Sequence, residues 1–326
     1  VAIWKWVDIA GGTEGAVAAG AKLETSARVR EITMHPDGTA RGVIFYDKDG
    51  NVQEQRAKSI VLGCNGIGTP RLLLNSESAR YPDGISNSSG LVGKNLMFHP
   101  YSVVGGLFDQ NLDSYTGPNG CSIISQEFYE TDLSRGFVRG YAFQIARGSG
   151  PVTTAQGGMV GAGTPWGAKH RESFDKQFGR NAVIAVIGED LPELHNQVTI
   201  DPELTDSDGI PAPKVTYKMS ENSTKLMAHG VARATEVMEA AGAIEVGVNP
   251  LLRRGGWHLL GTARMGTDAS KSVVDSTGRS HDVKNMFIID GSVFVTAGAV
   301  NPTPTIQAIA LHVADQFKQN SRHLLD

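Results

Sequence analysis

The sequence predicts a mixed α/β (α+β) fold, and three observations carry that expectation. Hairpin signals fall early, at Asp37-Gly38 and Asp49-Gly50, beside stretches of strand-like sequence. Short apolar strands run into turns containing glycine, at 59–62 and 286–289. Two long segments, 220–241 and 302–317, carry apolar residues at helical spacing.

Residues 13–62 read as β-rich after a short lead. Residues 27–32 alternate apolar and polar, the period of a half-buried strand. Asp37-Gly38 turns the chain into a returning strand at 40–46, and Asp49-Gly50 repeats the device. Ser59-Ile60-Val61-Leu62 is a short buried strand that enters a turn at 63–70. Residues 71–74 are expected to start a helix just after Pro70, because proline suits a helix start. From 98 to 250, glycines and aromatics scatter, strands shorten and loops lengthen. The apolar run at 182–187 reads as a buried strand, and 196–202 and 213–217 as strands about an Asp208-Gly209 turn. The stretch 161–167 (GAGTPWG) is one residue too long for GxGxxG and contains a proline, so it reads as a loop. Residues 220–241 form an amphipathic helix with Leu226, Met227, Val231, Ala234 and Val237 on its apolar face and Gly242 as its stop. Residues 286–289 are a buried strand ending in Asp290-Gly291-Ser292. Asn301-Pro302-Thr303-Pro304-Thr305 opens a last helix with Ile306, Ile309, Ala310, Val313 and Phe317 on one face.

Composition narrows the function. At 326 residues the chain has room for two domains of about 150 residues each, or one large one. With 40% hydrophobic and 20% charged residues it builds a sizeable core. Thirty basic and 34 acidic side chains give a net charge of −4, which argues against nucleic acid or an anionic membrane surface as the main partner. No apolar stretch approaches ~18 residues, so no transmembrane segment is expected, and the chain reads as soluble, cytoplasmic or periplasmic. Two cysteines, Cys64 and Cys121, exclude a disulfide framework and a cysteine zinc cluster, and no metal-ligand spacing such as HExxH occurs. There is no GxSxG elbow and no P-loop. The 39 glycines exceed the usual share of ~7% while proline stays ordinary. That excess points to tight turns and close backbone approaches, as around a bound cofactor.

Three places can carry chemistry. The helix start at 301–305 offers unpaired N–H groups and a partial positive charge, suited to an anion or a partly anionic ring edge. Asp290-Gly291 sits at the end of an apolar strand, where an acidic residue often meets a ligand hydroxyl or phosphate. His258, beside Trp257 and ahead of a glycine-bounded turn, can act as a base at neutral pH. Taken singly, each is also what a capped helix, a strand-end turn or a packed histidine presents.

Together and in order they resemble the C-terminal portion of the glucose–methanol–choline (GMC) flavin oxidoreductases. The resemblance spans nearly the whole chain. It is strongest at 60–76 (IVLGCNGIGTPRLLLNS), 90–100 (GLVGKNLMFHP) and 258–315, which begins HLLGTARMG and contains IIDGS and NPTPT. The spelling is closest to the bacterial branch of gluconate and sugar-alcohol dehydrogenases. The resemblance implies a partial FAD-binding Rossmann-like domain with a substrate domain built on an antiparallel sheet. It divides the chain into 1–97 and 251–326 for the FAD-binding part and 98–250 for the substrate part. His258 matches the family's catalytic base and Asn301 its second active-site residue. Asp290 and Gly291 match residues that hold the FAD pyrophosphate and ribityl region. Pro302 and Thr303 match the helix start at the flavin's pyrimidine edge. Val29 matches a backbone contact to adenine, and Cys64, Asn65 and Gly66 the turn beside the adenosine half. Many members have alanine-alanine-glycine where this chain has Cys64-Asn65-Gly66.

The family's GxGxxG and the glutamate after its second strand belong upstream, and neither is in this chain, so an incomplete enzyme is expected. The implied reaction is FAD-dependent oxidation of an alcohol, polyol or sugar, with hydride passing to flavin N5 and His258 as general base. A dehydrogenase is expected ahead of an oxidase, with a quinone, a cytochrome or oxygen as electron acceptor. The alternatives are a hydroxynitrile-lyase-like activity on the same fold and a non-catalytic substrate-binding fragment.

Overall fold

The computed structural model describes residues 12–117, 121–158, 164–252 and 257–324. A short helix, α1 (Gly12–Ala18), precedes an antiparallel sheet of β1 (Arg28–Met34), β2 (Ala40–Tyr46) and β3 (Val52–Arg56), paired in that order. Both expected turns form. The Thr39 N–H donates to Asp37 Oδ1 at 2.8 Å and the Asn51 N–H to Asp47 Oδ1 at 2.9 Å, so an aspartate closes each turn.

β4 (Ile60–Leu62) leads into α2 (Asn65–Leu74), which corrects the expectation of a helix beginning after Pro70. The helix starts at Asn65 and runs through the proline. Asn65 adopts a left-handed φ of +67°, and its Oδ1 accepts from the N–H groups of Ile67 and Gly68 at 3.0 and 3.2 Å. This caps the first turn. Pro70 has no N–H to give the carbonyl four residues back, that of Gly66. The Thr262 hydroxyl, from a distant segment, donates to that oxygen at 2.8 Å instead.

The middle of the chain is more regular than its scattered texture predicts. After β5 (Met97–His99) come β6 (Tyr101–Leu107), β7 (Cys121–Ser125) and β8 (Tyr141–Ala146). Two short helices follow, α3 (Pro151–Ala155) and α4 (His170–Gln177), and then β9 (Asn181–Gly188). Of the predicted loop at 161–167, residues 161–163 lie outside the described residues; 164–167 form neither helix nor strand. β10 (Gln197–Thr205) and β11 (Pro211–Thr216) form the expected hairpin, and α5 (Glu221–Ala240) follows, with Ser220 capping it by accepting from the Ser223 N–H. β12 (Glu245–Asn249) then completes a five-stranded antiparallel sheet of order β12-β6-β9-β8-β7. α5 packs Leu226, Met227, Ala234 and Met238 against Val104, Phe143, Ile184 and Val186 of that sheet. Val237, expected on this face, is 47% exposed, because the buried stripe steps by four through Gly230, Ala234 and Met238.

The last segment returns to the beginning. β13 (Trp257–Leu260) pairs with β5, and β14 (Met286–Ile288) pairs in parallel with β4. α6 (Thr303–Leu324) opens where the Asn-Pro-Thr-Pro-Thr run predicts, burying Val313 and setting Phe317 edge-on to Phe287. One core cluster joins Ile32, Leu62, Leu73 and Ile85 to Val273, Val274, Met286 and Ile288, so both ends of the chain build it. The buried Asn285 amide fastens the same seam, holding the Ala40 N–H, the Ala40 carbonyl and the Lys58 carbonyl at 2.8 Å each. Among the described residues no helix is long and apolar enough to cross a membrane.

Candidate active site

His258 lies within β13 rather than in a loop. Trp257 pairs with His99 and Leu260 with Met97, so two residues of β13, His258 and Leu259, oppose the single Phe98 of β5. This is a β-bulge, a device that re-aims a side chain. His258 takes the strained φ of +60° that the bulge requires. Its ring meets that of His99 edge-on at 4.8 Å, with the two Nδ1 atoms 2.7 Å apart. His99 is fully buried, and its Nε2 lies 2.5 Å from the Gly298 carbonyl oxygen and 3.3 Å from that of Ala297. Burial, with a smaller contribution from His258, pushes His99 down to about 4. Burial also lowers the pKa of the half-buried His258.

Asn301 lies three residues beyond Gly298 and is exposed. Its Oδ1 accepts from Gln144 Nε2 at 3.1 Å, while Gln144 Oε1 accepts from the Tyr101 hydroxyl at 3.2 Å. Burial raises the Tyr101 phenol to about 12, so it stays a donor. With its oxygen engaged, the Asn301 NH₂ group has no hydrogen-bond partner among the described residues. Tyr101 also packs against Trp257, the residue before His258, at 5.4 Å between ring centroids. Short chains of contact thus link both predicted catalytic residues to one neighbourhood. Sequence reasoning missed His99, Tyr101 and Gln144, although His99 stands in the GLVGKNLMFHP block.

The carboxyl ends of β4 and β14 lie side by side, which in a parallel α/β sheet is where ligands bind. Asp290 is buried there. Its carboxylate accepts from the Asn65 N–H at 3.1 Å, the Thr69 hydroxyl at 2.5 Å and the Ser292 N–H at 2.8 Å. It ties the turn after β4 to the turn after β14. Gly66 and Gly291 do permit close approaches, but to the chain itself. A Cβ on Gly66 would stand 2.5 Å from the Leu259 carbonyl, and one on Gly291 2.9 Å from its oxygen. At these two glycines the missing side chain lets β13 pack against both turns. The Asn65 side-chain oxygen and main-chain N–H are likewise committed, to the helix cap and to Asp290.

Beside these turns a cavity of about 400 Å³ is lined by Arg28, Val29, Cys64, Asn65, Gly68 and Arg71 among others. It gathers three of the residues expected at the adenosine end. β1 is the edge of its sheet, with a bulge between Val29 and Glu31, and an edge strand offers unpaired main-chain groups to a neighbour. At 302–305 Pro302 is buried while Thr303, Pro304 and Thr305 are exposed, leaving the first turn of α6 open.

The chain thus presents a crevice at parallel strand ends, a cavity on an edge strand, an open helix start and a histidine pair. Two family models, each described as GMC oxidoreductase, match residues 13–101 and 192–310. The chain belongs to the GMC oxidoreductase family. It is 42% identical over 314 residues to the 2-methyl-1,2-propanediol dehydrogenase of Mycolicibacterium austroafricanum, covering 95% of this chain and 57% of that protein. It is 31% identical over 300 residues to the fructose dehydrogenase large subunit of Gluconobacter japonicus, covering 91% and 54%. A structure of Aspergillus oryzae formate oxidase, concerned with its FAD modification, superposes with a TM-score of 0.61 at 16% identity, over 91% of this chain and 61% of that one. The chain spans a little over half the length of these curated relatives.

FAD is the cofactor this family implies. Two features suit parts of it: the cavity lies within the size range of small-molecule pockets, and the exposed first turn of α6 favours negative charge.

Proposed function

We propose that this chain is the C-terminal portion of an FAD-dependent dehydrogenase that oxidises the CH–OH group of an alcohol, polyol or sugar. The supporting observation is that His258, whose pKa burial lowers, and the exposed Asn301 are joined to one neighbourhood through Trp257, Tyr101 and Gln144. A substrate hydroxyl needs both: an acceptor for its proton and a donor to its oxygen. When bound, FAD supplies the hydride acceptor. His258 takes the hydroxyl proton, and Asn301 Nδ2 holds the oxygen as negative charge develops there. Edge strand β1 at Val29 and the Cys64–Asn65–Gly66 turn hold the adenosine end. Asp290 and Gly291 shape the crevice for the central region, and Pro302 and Thr303 present the first turn of α6 to the anionic ring edge. The division into 1–97 with 251–326 and 98–250 is part of this reading, and the three core clusters, each drawn from one part only, support it. A quinone, a cytochrome or oxygen takes the electrons onward.

The test is His258→Ala in the full-length holoenzyme. FAD absorbance should persist at the wild-type ratio while turnover of a diol or sugar alcohol falls by at least about 10²-fold. Turnover near wild type in the variant refutes the assignment.

A further inference from the structure

We propose that His99 is a positioning residue that fixes the tautomer of His258. The inference rests on the reading of His258 as the base and adds how that base is made ready.

The argument runs through hydrogen-bond donors and acceptors. His99 Nε2 faces only carbonyl oxygens, those of Gly298 and Ala297. A carbonyl only accepts, so His99 Nε2 carries the proton. Burial keeps the His99 ring neutral at neutral pH. A neutral ring protonated at Nε2 has a bare Nδ1, which is an acceptor. The atom 2.7 Å from it is His258 Nδ1, which must therefore carry a proton and donate. Neutral His258 is left with its lone pair at Nε2, the nitrogen directed away from His99. That is the state a general base needs. A free imidazole divides its proton between the two nitrogens; here the partner decides.

The backbone is built around this contact. The bulge in β13 and the left-handed φ of His258 hold its ring against His99. The carbonyl that orients His99 belongs to Gly298, whose N–H is in turn bonded to the buried Glu189. Asn301 follows three residues later, so the peptide that orients the base also anchors the approach to its partner.

The test uses the full-length, FAD-loaded enzyme with three variants. In His99→Gln the amide supplies a donor for the Gly298 carbonyl and an acceptor for His258 Nδ1. His99→Phe supplies neither. Losing the group that holds a catalytic histidine in its working tautomer is costly in other enzymes, up to about 10⁴-fold. His99→Phe should lower kcat by about 10- to 100-fold with KM within about twofold, and His99→Gln should recover most of the loss. ¹⁵N spectra of histidine-labelled protein should show His258 protonated at Nδ1 and bare at Nε2 in the wild type and in His99→Gln, and a mixture in His99→Phe. The inference is overturned if His99→Phe keeps wild-type kcat and the same tautomer while His258→Ala is inactive. It is also overturned if wild-type His258 is protonated at Nε2, a result that needs no folded variant. Wild-type turnover by His258→Ala instead overturns the reading of the base itself.

Discussion

Thr262→Val tests how α2 survives its proline. Valine keeps the shape of threonine and removes one hydroxyl. That hydroxyl, fully buried, donates to the Gly66 carbonyl at 2.8 Å. Four residues on, Pro70 cannot donate to it as another residue would. The substitution therefore leaves a buried acceptor without its donor, a loss of about 1–3 kcal/mol. Pro70→Ala restores an N–H at the helical position that addresses the same oxygen. In that background the cost of Thr262→Val should shrink to below about 1 kcal/mol, giving a coupling of about 1–2 kcal/mol. Urea denaturation of the four proteins, read as a double-mutant cycle, measures it. Equal costs for Thr262→Val in the two backgrounds refute the reasoning.

Two further outcomes follow from the same structure. Only neutral His258 accepts a proton, and burial holds its pKa below the ordinary 6.5, so kcat/KM should rise with pH through a value below 6.5 and level off above it; a limb centred above 6.5 contradicts this. Asn285→Leu strips partners from the Ala40 N–H and from the carbonyls of Ala40 and Lys58, and should cost about 3 kcal/mol in thermal denaturation, with Asn285→Asp nearly as damaging because it keeps the acceptor and loses both donors; a Leu variant as stable as wild type counts against the seam.

What was legible in the sequence was local. The Asp-Gly turns, the capped helix at 221 and the strand at 182–187 each depend on neighbours within a few residues. The start of α2 was not legible, because the rule that places proline first in a helix assumes a lost hydrogen bond, and Thr262 supplies one across 196 residues of chain. Val237 was misplaced because 3.6-residue spacing leaves two candidate stripes, and only the facing sheet chooses between them. The sequence marks His258 by its setting in a motif. It does not mark His99, since the pairing that joins them spans 159 residues and the bulge that turns one ring toward the other has no local signature. Asp290 stands just past the end of a strand, as its setting predicts. Its three donors come from two turns brought together only by the parallel pairing of β4 with β14.

On the proposed reading of His258 as the base, the choice of a histidine behind it has a chemical consequence. A carboxylate in that position fixes the tautomer and also stabilises the imidazolium, so it raises the pKa of the base it serves. His99 does the first without the second. It is neutral, its outer nitrogen is bound to carbonyl oxygens, and its own pKa is pushed down to about 4. His258 is therefore oriented without being made more basic, and desolvation takes its pKa lower still. Basicity is traded for readiness: the ring is unprotonated at neutral pH but holds a proton less tightly. On the proposed reaction that trade is coherent. The substrate hydroxyl meets an acceptor in His258 and a donor in the Asn301 amide, both neutral. Because neither brings a fixed charge, what must be stabilised is the charge that develops as the C–H and O–H bonds break. On that proposal the dipoles that would meet it are the Asn301 amide and the exposed N-terminal turn of α6.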